Sequence, residues 1–504
     1  MNTTKKKTKS PIHNIAMFAL LGIILIQLGL GINSLTKVKG IPSYDAYYFV
    51  QVSKYIQDTE QIPFNTPNTY TPTPIDYQTS HTVMFSLVSD FTGIDIDTLY
   101  KYAAPPMFSL LLLSFYLICR RCSKNAGISL LGVMFLGLIP YNLYRSTMPL
   151  PEGTSLLFQI LIVIVLANQK ISIKHKALVA SVLLAGATYA HYRSIIISIL
   201  IITVYFATTI FQSWKKKGGS FKHFVPLLSL ITICIILTIP LIKLVFNTYL
   251  YYLSPQQYSW KEIEPLPARY VLPTLSEYTK QLGTLNLTLG IIGLFAILRK
   301  RGISPLLLTI CLWFLATLAA TQSIRFGFYA PPYRFYSFFS LPLALAATFA
   351  IVALKNTWSK THKYKLASII IALVSLYTVS QYTLNNINKA VWVGFQSSDF
   401  QAAALLKEQS ESSITISNGA FPISLGIPNS EARLDITHSI LLSENENDVE
   451  QKLTEHYPNN NNVYLLIIRS MATPFTDKYV TFQGLLQNYD MVFDQNGTKI
   501  YKLR

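Results

Sequence analysis

Ile41-Pro-Ser-Tyr-Asp-Ala-Tyr-Tyr-Phe-Val50 sets a single acid, Asp45, among four aromatic rings just beyond a long apolar run. At 3.6 residues per turn, Asp45, Tyr48, Phe49, Val52 and Ile56 share one face, so the stretch predicts an amphipathic helix lying along a membrane surface. Pro42 and Ser43 supply its start. Two roles are open to Asp45. A carboxylate near helix N-terminal N–H groups is favourable as a cap, and an acid placed just outside a span is also a candidate for chemistry.

The apolar run before this stretch, 15–34, is too long for a signal-peptide core and lacks a small-residue cleavage site, so it is expected to stay as a helix. Ten further runs follow, at 103–119, 126–143, 154–168, 177–190, 195–212, 224–242, 284–298, 305–321, 336–354 and 366–384. Over 504 residues the chain is 51% hydrophobic and only 13% charged, with a mean hydropathy of +0.35. These values predict an α-helical polytopic membrane protein of about eleven transmembrane helices, several shorter than the ~20 residues a full crossing uses.

A net charge of +18 invites a nucleic-acid reading, and its distribution argues for membrane topology instead. If the N-terminus is inside and the runs alternate, the inner segments hold 21 Lys and Arg and no acid, while all 24 acids fall outside. That asymmetry predicts an N-in, C-out protein of the cell membrane. Cys119, Cys122, Cys234 and Cys311 lie in runs or at their inner ends, so no disulfide framework is expected.

The outer segments carry the candidate residues. The first, 36–102, is long and contains seven acids; its order is helix, a proline-rich crossing over 62–74, and a second helical stretch from His81 to Asp90. The second places Arg145 and Glu152 at the mouth of the bundle, with Glu152 at a helix start where a dipole role explains it equally well. The third offers His191 and Arg193, the arginine also suited to an interfacial anchor. The fourth, 247–282, gathers aromatics that fit an interfacial belt or a sugar face. The fifth, 323–335, sets Arg325 and Arg334 beside a double proline, an arrangement suited to holding a guanidinium at fixed depth for a phosphate.

Residues 1–384 therefore form a multi-span domain. Residues 385–504, with nine bases against 13 acids, form a separate soluble domain outside the membrane. Helices are expected over 399–407, 447–456 and 479–488 and strands over 413–417 and 463–468, with Asp494-Gln-Asn-Gly-Thr498 turning a hairpin, which together make a small α/β domain.

This order of features resembles the GT-C class of membrane glycosyltransferases, such as protein mannosyltransferases, aminoarabinose transferases and oligosaccharyltransferase catalytic subunits. The resemblance rests on a basic N-terminus, one span, and a long outer loop that opens with Tyr44-Asp45-Ala46-Tyr47-Tyr48 and runs through His81 to Phe91-Thr-Gly-Ile94. Arg145 to Glu152, His191 and the Arg334 to Pro342 region are similar to motifs of bacterial and archaeal members. It implies transfer of a sugar from a polyprenyl-phosphate donor to a hydroxyl of a glycan, lipid or protein acceptor, with inversion, at the outer face. Membrane lipid is the implied surrounding, and nucleic acid is not an implied partner. Asp45 would be the catalytic residue, as base or hydrogen-bond acceptor; Arg334, Arg325, Arg193, His191, Arg145, Glu152 and His81 would bind substrate. A divalent cation, Mg or Mn, would sit at Asp45 if anywhere, although some members carry an acidic pair where this chain has one acid. No Trp-Trp-Asp-type acceptor motif of oligosaccharyltransferases is found.

Two rival classes are kept. A transporter of lipid-linked glycans would place ionisable groups inside its spans, where Lys243 is the one base well within a run. A polysaccharide polymerase or ligase would share the donor and use a large outer loop late in the chain.

Overall fold

The computed structural model describes residues 11–38, 40–63, 79–191, 194–217, 232–233, 272–300, 303–326 and 332–358, and in the C-terminal part 395, 397–409, 413–417, 422, 425, 427–431, 434–468 and 480–504. Arg193, the run 366–384, most of the run 224–242, the crossing from residue 64 on and most of the aromatic segment 247–282 lie outside the described residues.

The nine apolar runs that are described are all helical. Among the described residues four helices, or five if a bent pair counts as one span, are long and apolar enough to cross a membrane. Ala126–Gly137, Pro151–Ala167 and Pro305–Ala320 are apolar but shorter. The run 126–143 was expected as one span; it is two helices, Ala126–Gly137 and Pro140–Arg145. Pro140 has no N–H to continue the ladder and instead opens the second helix. The pair Leu275–Leu282 and Thr284–Leu298 bends by 100° at Gly283.

The chain divides into two compact units. One comprises residues 1–33, 104–147 and 151–388, the other 34–103, 148–150 and 389–504. The first, the bundle unit, is built around helix Tyr336–Trp358, whose Phe338, Phe339, Leu341, Leu343 and Leu345 are essentially fully buried. Helix Thr284–Leu298 meets it backbone to backbone: a Cβ on Gly293 would stand 1.7 Å from the Ala346 carbonyl oxygen, so only glycine allows the approach. In helix Pro11–Thr36, Gln27 donates to the Ser146 hydroxyl at 3.2 Å, because an unpaired amide in an apolar surrounding is costly.

In the second, the loop unit, helices Tyr44–Thr59, Thr79–Thr92 and Ile96–Tyr102 are joined through Ser53. Its hydroxyl donates to the Thr82 carbonyl at 3.1 Å and meets the Tyr100 hydroxyl at 3.0 Å, while Ser86 donates to the Ser53 carbonyl at 2.8 Å. The buried residues of Tyr44–Thr59 are Ala46, Tyr47, Phe49, Val50, Val52 and Ser53; of the expected face Phe49 and Val52 are buried, Tyr48 and Ile56 half-buried and Asp45 exposed. The buried side is thus broader than the expected face and takes in the small Ala46 and Ser53.

The C-terminal part of the loop unit contains a four-stranded sheet of order β1-β2-β4-β3, with β1 (Ser413–Ile416), β2 (Asn462–Ile467), β3 (Asp490–Gln495) and β4 (Thr498–Lys502). β1 and β2 are parallel; β2–β4 and β3–β4 are antiparallel. The hairpin turns on Asn496 and Gly497, both at positive φ, as the Asn-Gly pair predicts. Helices Ser397–Glu408 and Glu446–His456 lie where expected; Leu434–Leu441 is an additional helix.

Candidate functional site

Four of the residues picked out in the outer segments meet in the bundle unit. Helix Pro140–Arg145 carries Tyr141 and Arg145 one turn apart, so the two side chains stack: the Arg145 Nε donates to the Tyr141 hydroxyl at 3.1 Å and its guanidinium lies 5.4 Å from the ring centre. Helix Pro151–Ala167 begins on a proline, which leaves Glu152 in its first turn, facing back towards Arg145. The Glu152 Oε1 is 3.5 Å from the Arg145 Nη2 and 3.7 Å from the His191 Nε2. His191 ends helix Ile173–Ala190 in an extended conformation, with its ring 5.9 Å from Phe338. The turn Pro332–Phe335 leads into helix Tyr336–Trp358 and presents Arg334, which donates to the Tyr333 hydroxyl at 3.3 Å and stands close enough to Glu152 to act on it electrostatically.

The site is therefore four helix ends converging on one buried carboxylate. The Glu152 side chain is 10% exposed, that of Arg145 18% and that of His191 1%. Arg145 pairs with the carboxylate and Arg334 acts on it electrostatically, so with His191 neutral the group carries one net positive charge. A second group of rings continues from it: Tyr141 meets Tyr336 edge to face at 5.6 Å, and Tyr336 meets Tyr278 at 5.8 Å. The Tyr278 hydroxyl is paired with the Thr321 hydroxyl and accepts from Gln322 Nε2 at 2.7 Å.

The other candidates stand elsewhere. Arg325 is exposed in the turn Ser323–Phe326 of the bundle unit. His81 and Asp45 belong to the loop unit. His81 is fully buried there, between Phe49 at 5.7 Å, Phe85 at 4.7 Å and Tyr100 at 5.6 Å. Asp45 is exposed in the first turn of its helix, and Ser43 rather than Asp45 occupies the cap position. The rings Tyr141, Tyr333 and Tyr336 were missed in the sequence, although the spacing of Tyr141 to Arg145 signals that pair.

Among the described residues no three His, Cys, Asp or Glu side chains stand together as a metal site. Glu152 and His191 provide two donors, and the first is already engaged by Arg145. These side chains do not make a cation site by themselves, and no chemical step below passes through a metal.

The model of a family of unknown function (DUF6541) matches residues 4–461. No curated protein matches significantly in sequence. Among solved structures, the archaeal oligosaccharyltransferase AglB from Archaeoglobus fulgidus, in complex with an inhibitory peptide and a dolichol-phosphate, is similar with a TM-score of 0.67 and 12% identity, over 96% of this chain and 74% of that one. ArnT from Cupriavidus metallidurans bound to undecaprenyl phosphate is similar with a TM-score of 0.58 and 11% identity, over 96% and 98%. The arabinofuranosyltransferase AftD from Mycobacteria gives 0.57 and 10%, over 96% of this chain and 40% of its own. All three are GT-C glycosyltransferases, and this chain has their fold as an integral membrane protein.

Proposed function

The chain belongs to the DUF6541 family of unknown function, and from that premise we propose that it is a membrane glycosyltransferase, moving a sugar from a polyprenyl-phosphate donor to an acceptor hydroxyl with inversion. The observation that carries the reading is the cationic cluster around Glu152, built into a unit of apolar helices. A net positive charge in a poorly solvated place is costly unless an anion shares it. A phosphate group attached to an apolar chain brings that anion through the membrane side of the protein. Two similar structures hold such a molecule, dolichol-phosphate in AglB and undecaprenyl phosphate in ArnT.

The chemistry follows from charge. In the donor the bridging phosphate carries one negative charge. As the bond between the anomeric carbon and the phosphate oxygen breaks, a second negative charge develops on the departing polyprenyl phosphate. Arg145 and Arg334 would stabilise it more in the transition state than in the ground state, which is the condition for acceleration. The acceptor oxygen bonds to the anomeric carbon from the opposite side, and its proton passes to a carboxylate. Asp45, exposed on the loop unit, is the residue assigned that role. One essential carboxylate suits a single displacement. The reaction is assigned to the extracytoplasmic face of the cell membrane, in keeping with the segregation of acids and bases along the chain.

Purified protein in lipid nanodiscs, incubated with a panel of radiolabelled polyprenyl-phosphate sugars and a membrane extract as acceptor source, tests this. Consumption of one donor with release of polyprenyl phosphate is expected. A protein that turns over no donor and does not bind undecaprenyl phosphate overturns the reading.

A further inference from the structure

Asp45 makes no side-chain hydrogen bond or ion pair with another described residue, so its direction is set by the backbone turn that carries it. That turn is fastened through Tyr47. The Tyr47 side chain is 5% exposed, and its hydroxyl oxygen accepts the backbone N–H of Ile41 at 2.8 Å, folding the residues that enter the helix back across its first turn. A Cβ on Gly40 would stand 2.1 Å from the same oxygen, so a side chain at that position would displace the Tyr47 hydroxyl. Burial pushes the phenol up to about 12, which leaves it neutral throughout the physiological range.

The other side of the ring rests on the C-terminal part of the chain. Phe395 meets it edge to face at 4.9 Å and Phe400 lies tilted at 5.7 Å, the two phenylalanines themselves 6.1 Å apart. Further along, Lys54, paired with Asp97, lies within electrostatic reach of Lys407. The ring contacts stand at the N-terminal ends of both helices, Tyr44–Thr59 and Ser397–Glu408.

We propose that Tyr47 is a positioning residue: clamped by Ile41 on one side and by Phe395 and Phe400 on the other, it lets the C-terminal segment 395–504 set the aim of the Asp45 carboxylate. The inference rests on the assignment of Asp45 as proton acceptor. A core contact alone accounts for the ring burial. The close passage of Gly40 over the Tyr47 hydroxyl and the placement of all three contacts at the turn bearing Asp45 fit a device that fixes direction.

The test uses the full-length protein in nanodiscs and the labelled donor it turns over, with Phe400→Ala, Tyr47→Leu and Tyr47→Phe. Misplacing a reacting group by about 1 Å costs up to about a hundredfold. Phe400→Ala and Tyr47→Leu are expected to lower kcat by about ten- to a hundredfold while the donor KM stays within about twofold, and Tyr47→Phe, which keeps the ring contacts and loses the bond to Ile41, to give a smaller loss than Tyr47→Leu. In an Asp45→Asn background, Phe400→Ala should change the residual rate by less than about twofold, since both act through one carboxylate. Phe400→Leu carries the same expectations if Phe400→Ala does not fold. A folded Phe400 variant with parental kcat, or one whose loss adds in full to that of Asp45→Asn, overturns the inference and leaves the function standing. Parental activity in Asp45→Asn alone overturns the assignment of Asp45 instead.

Discussion

Replacing Glu152 with Gln separates a counter-ion from a group that touches the donor. The carboxylate is 3.5 Å from Arg145 and 3.7 Å from His191 and its side chain is 10% exposed. At an effective dielectric of about 20, opposite unit charges about 4 Å apart attract by about 4 kcal/mol before desolvation is counted. Removing one member of a buried pair usually costs about 3–5 kcal/mol, because the survivor is left uncompensated. Here the contacts are longer than the roughly 2.7–2.9 Å of a tight charge-assisted bond, and Gln keeps an oxygen that Arg145 can use. The expected loss is therefore about 2–3 kcal/mol. The assay is thermal unfolding in nanodiscs with and without undecaprenyl phosphate. If Glu152 is the internal anion that the lipid phosphate supplements, the lipid should stabilise the Gln variant more than the parent, since its phosphate then replaces a missing charge. Equal stabilisation of both, or weaker lipid binding by a folded variant, refutes the counter-ion argument.

Arg334→Lys replaces a planar fork with a point charge, and a charge-assisted hydrogen bond lost in the transition state is worth about 1.5–3 kcal/mol, so kcat should fall about ten- to a hundredfold; unchanged kinetics would make Arg334 an anchor. Asp45→Asn removes the proton acceptor and keeps a side chain suited to a helix start, so turnover should drop at least about a hundredfold with stability within a few tenths of a kcal/mol. A folded variant retaining more than about a tenth of parental activity would remove Asp45 from the mechanism. Gly293→Ala drives a Cβ to 1.7 Å from the Ala346 carbonyl oxygen, and since both sides are backbone the helices must part. A loss of at least about 1–3 kcal/mol is expected, read as lower yield and melting temperature. For topology, cysteines at Ser10 and Ser410 in a background without native cysteines should label oppositely in intact cells, with an impermeant thiol reagent reaching only position 410; labelling of position 10 alone would reverse the orientation.

The positions of the helices were legible because a membrane or a bundle core excludes charge, and each described apolar run is helical, that at 126–143 as two helices. Their ends were less so. The break at Leu138–Ile139 depends on Pro140, a local effect that a sliding window over apolar residues passes across. In the C-terminal part, Asn496-Gly497 marks its hairpin outright because few other residues accept two successive positive φ values. Helix Leu434–Leu441 escaped notice because it is short: its apolar positions, Leu434, Ile436, Ile440 and Leu441, share one face, but over only about two turns.

Arg145, Glu152, His191 and Arg334 were each visible as ionisable residues at the ends of apolar runs, but their meeting depends on helix packing across long stretches of chain. The Asp45 helix was legible in part: Phe49 and Val52 of the expected face are buried, while close packing also takes in the small Ala46 and Ser53 and leaves the larger Tyr48 and Ile56 half-buried.

Stability does not account for the cluster by itself. Buried ion pairs are often no better than well-packed apolar residues of the same size, since removing charges from water costs about as much as their attraction returns. Contacts of 3.5 and 3.7 Å recover less of that cost than shorter ones. An apolar set of side chains at the same four helix ends would hold the bundle at least as well, but it would offer nothing to an incoming anion. A cluster with two guanidiniums to one carboxylate does. On the proposed function, its charge would be compensated well enough to be buried before a lipid phosphate binds, and its surplus would act on that phosphate as a second negative charge develops.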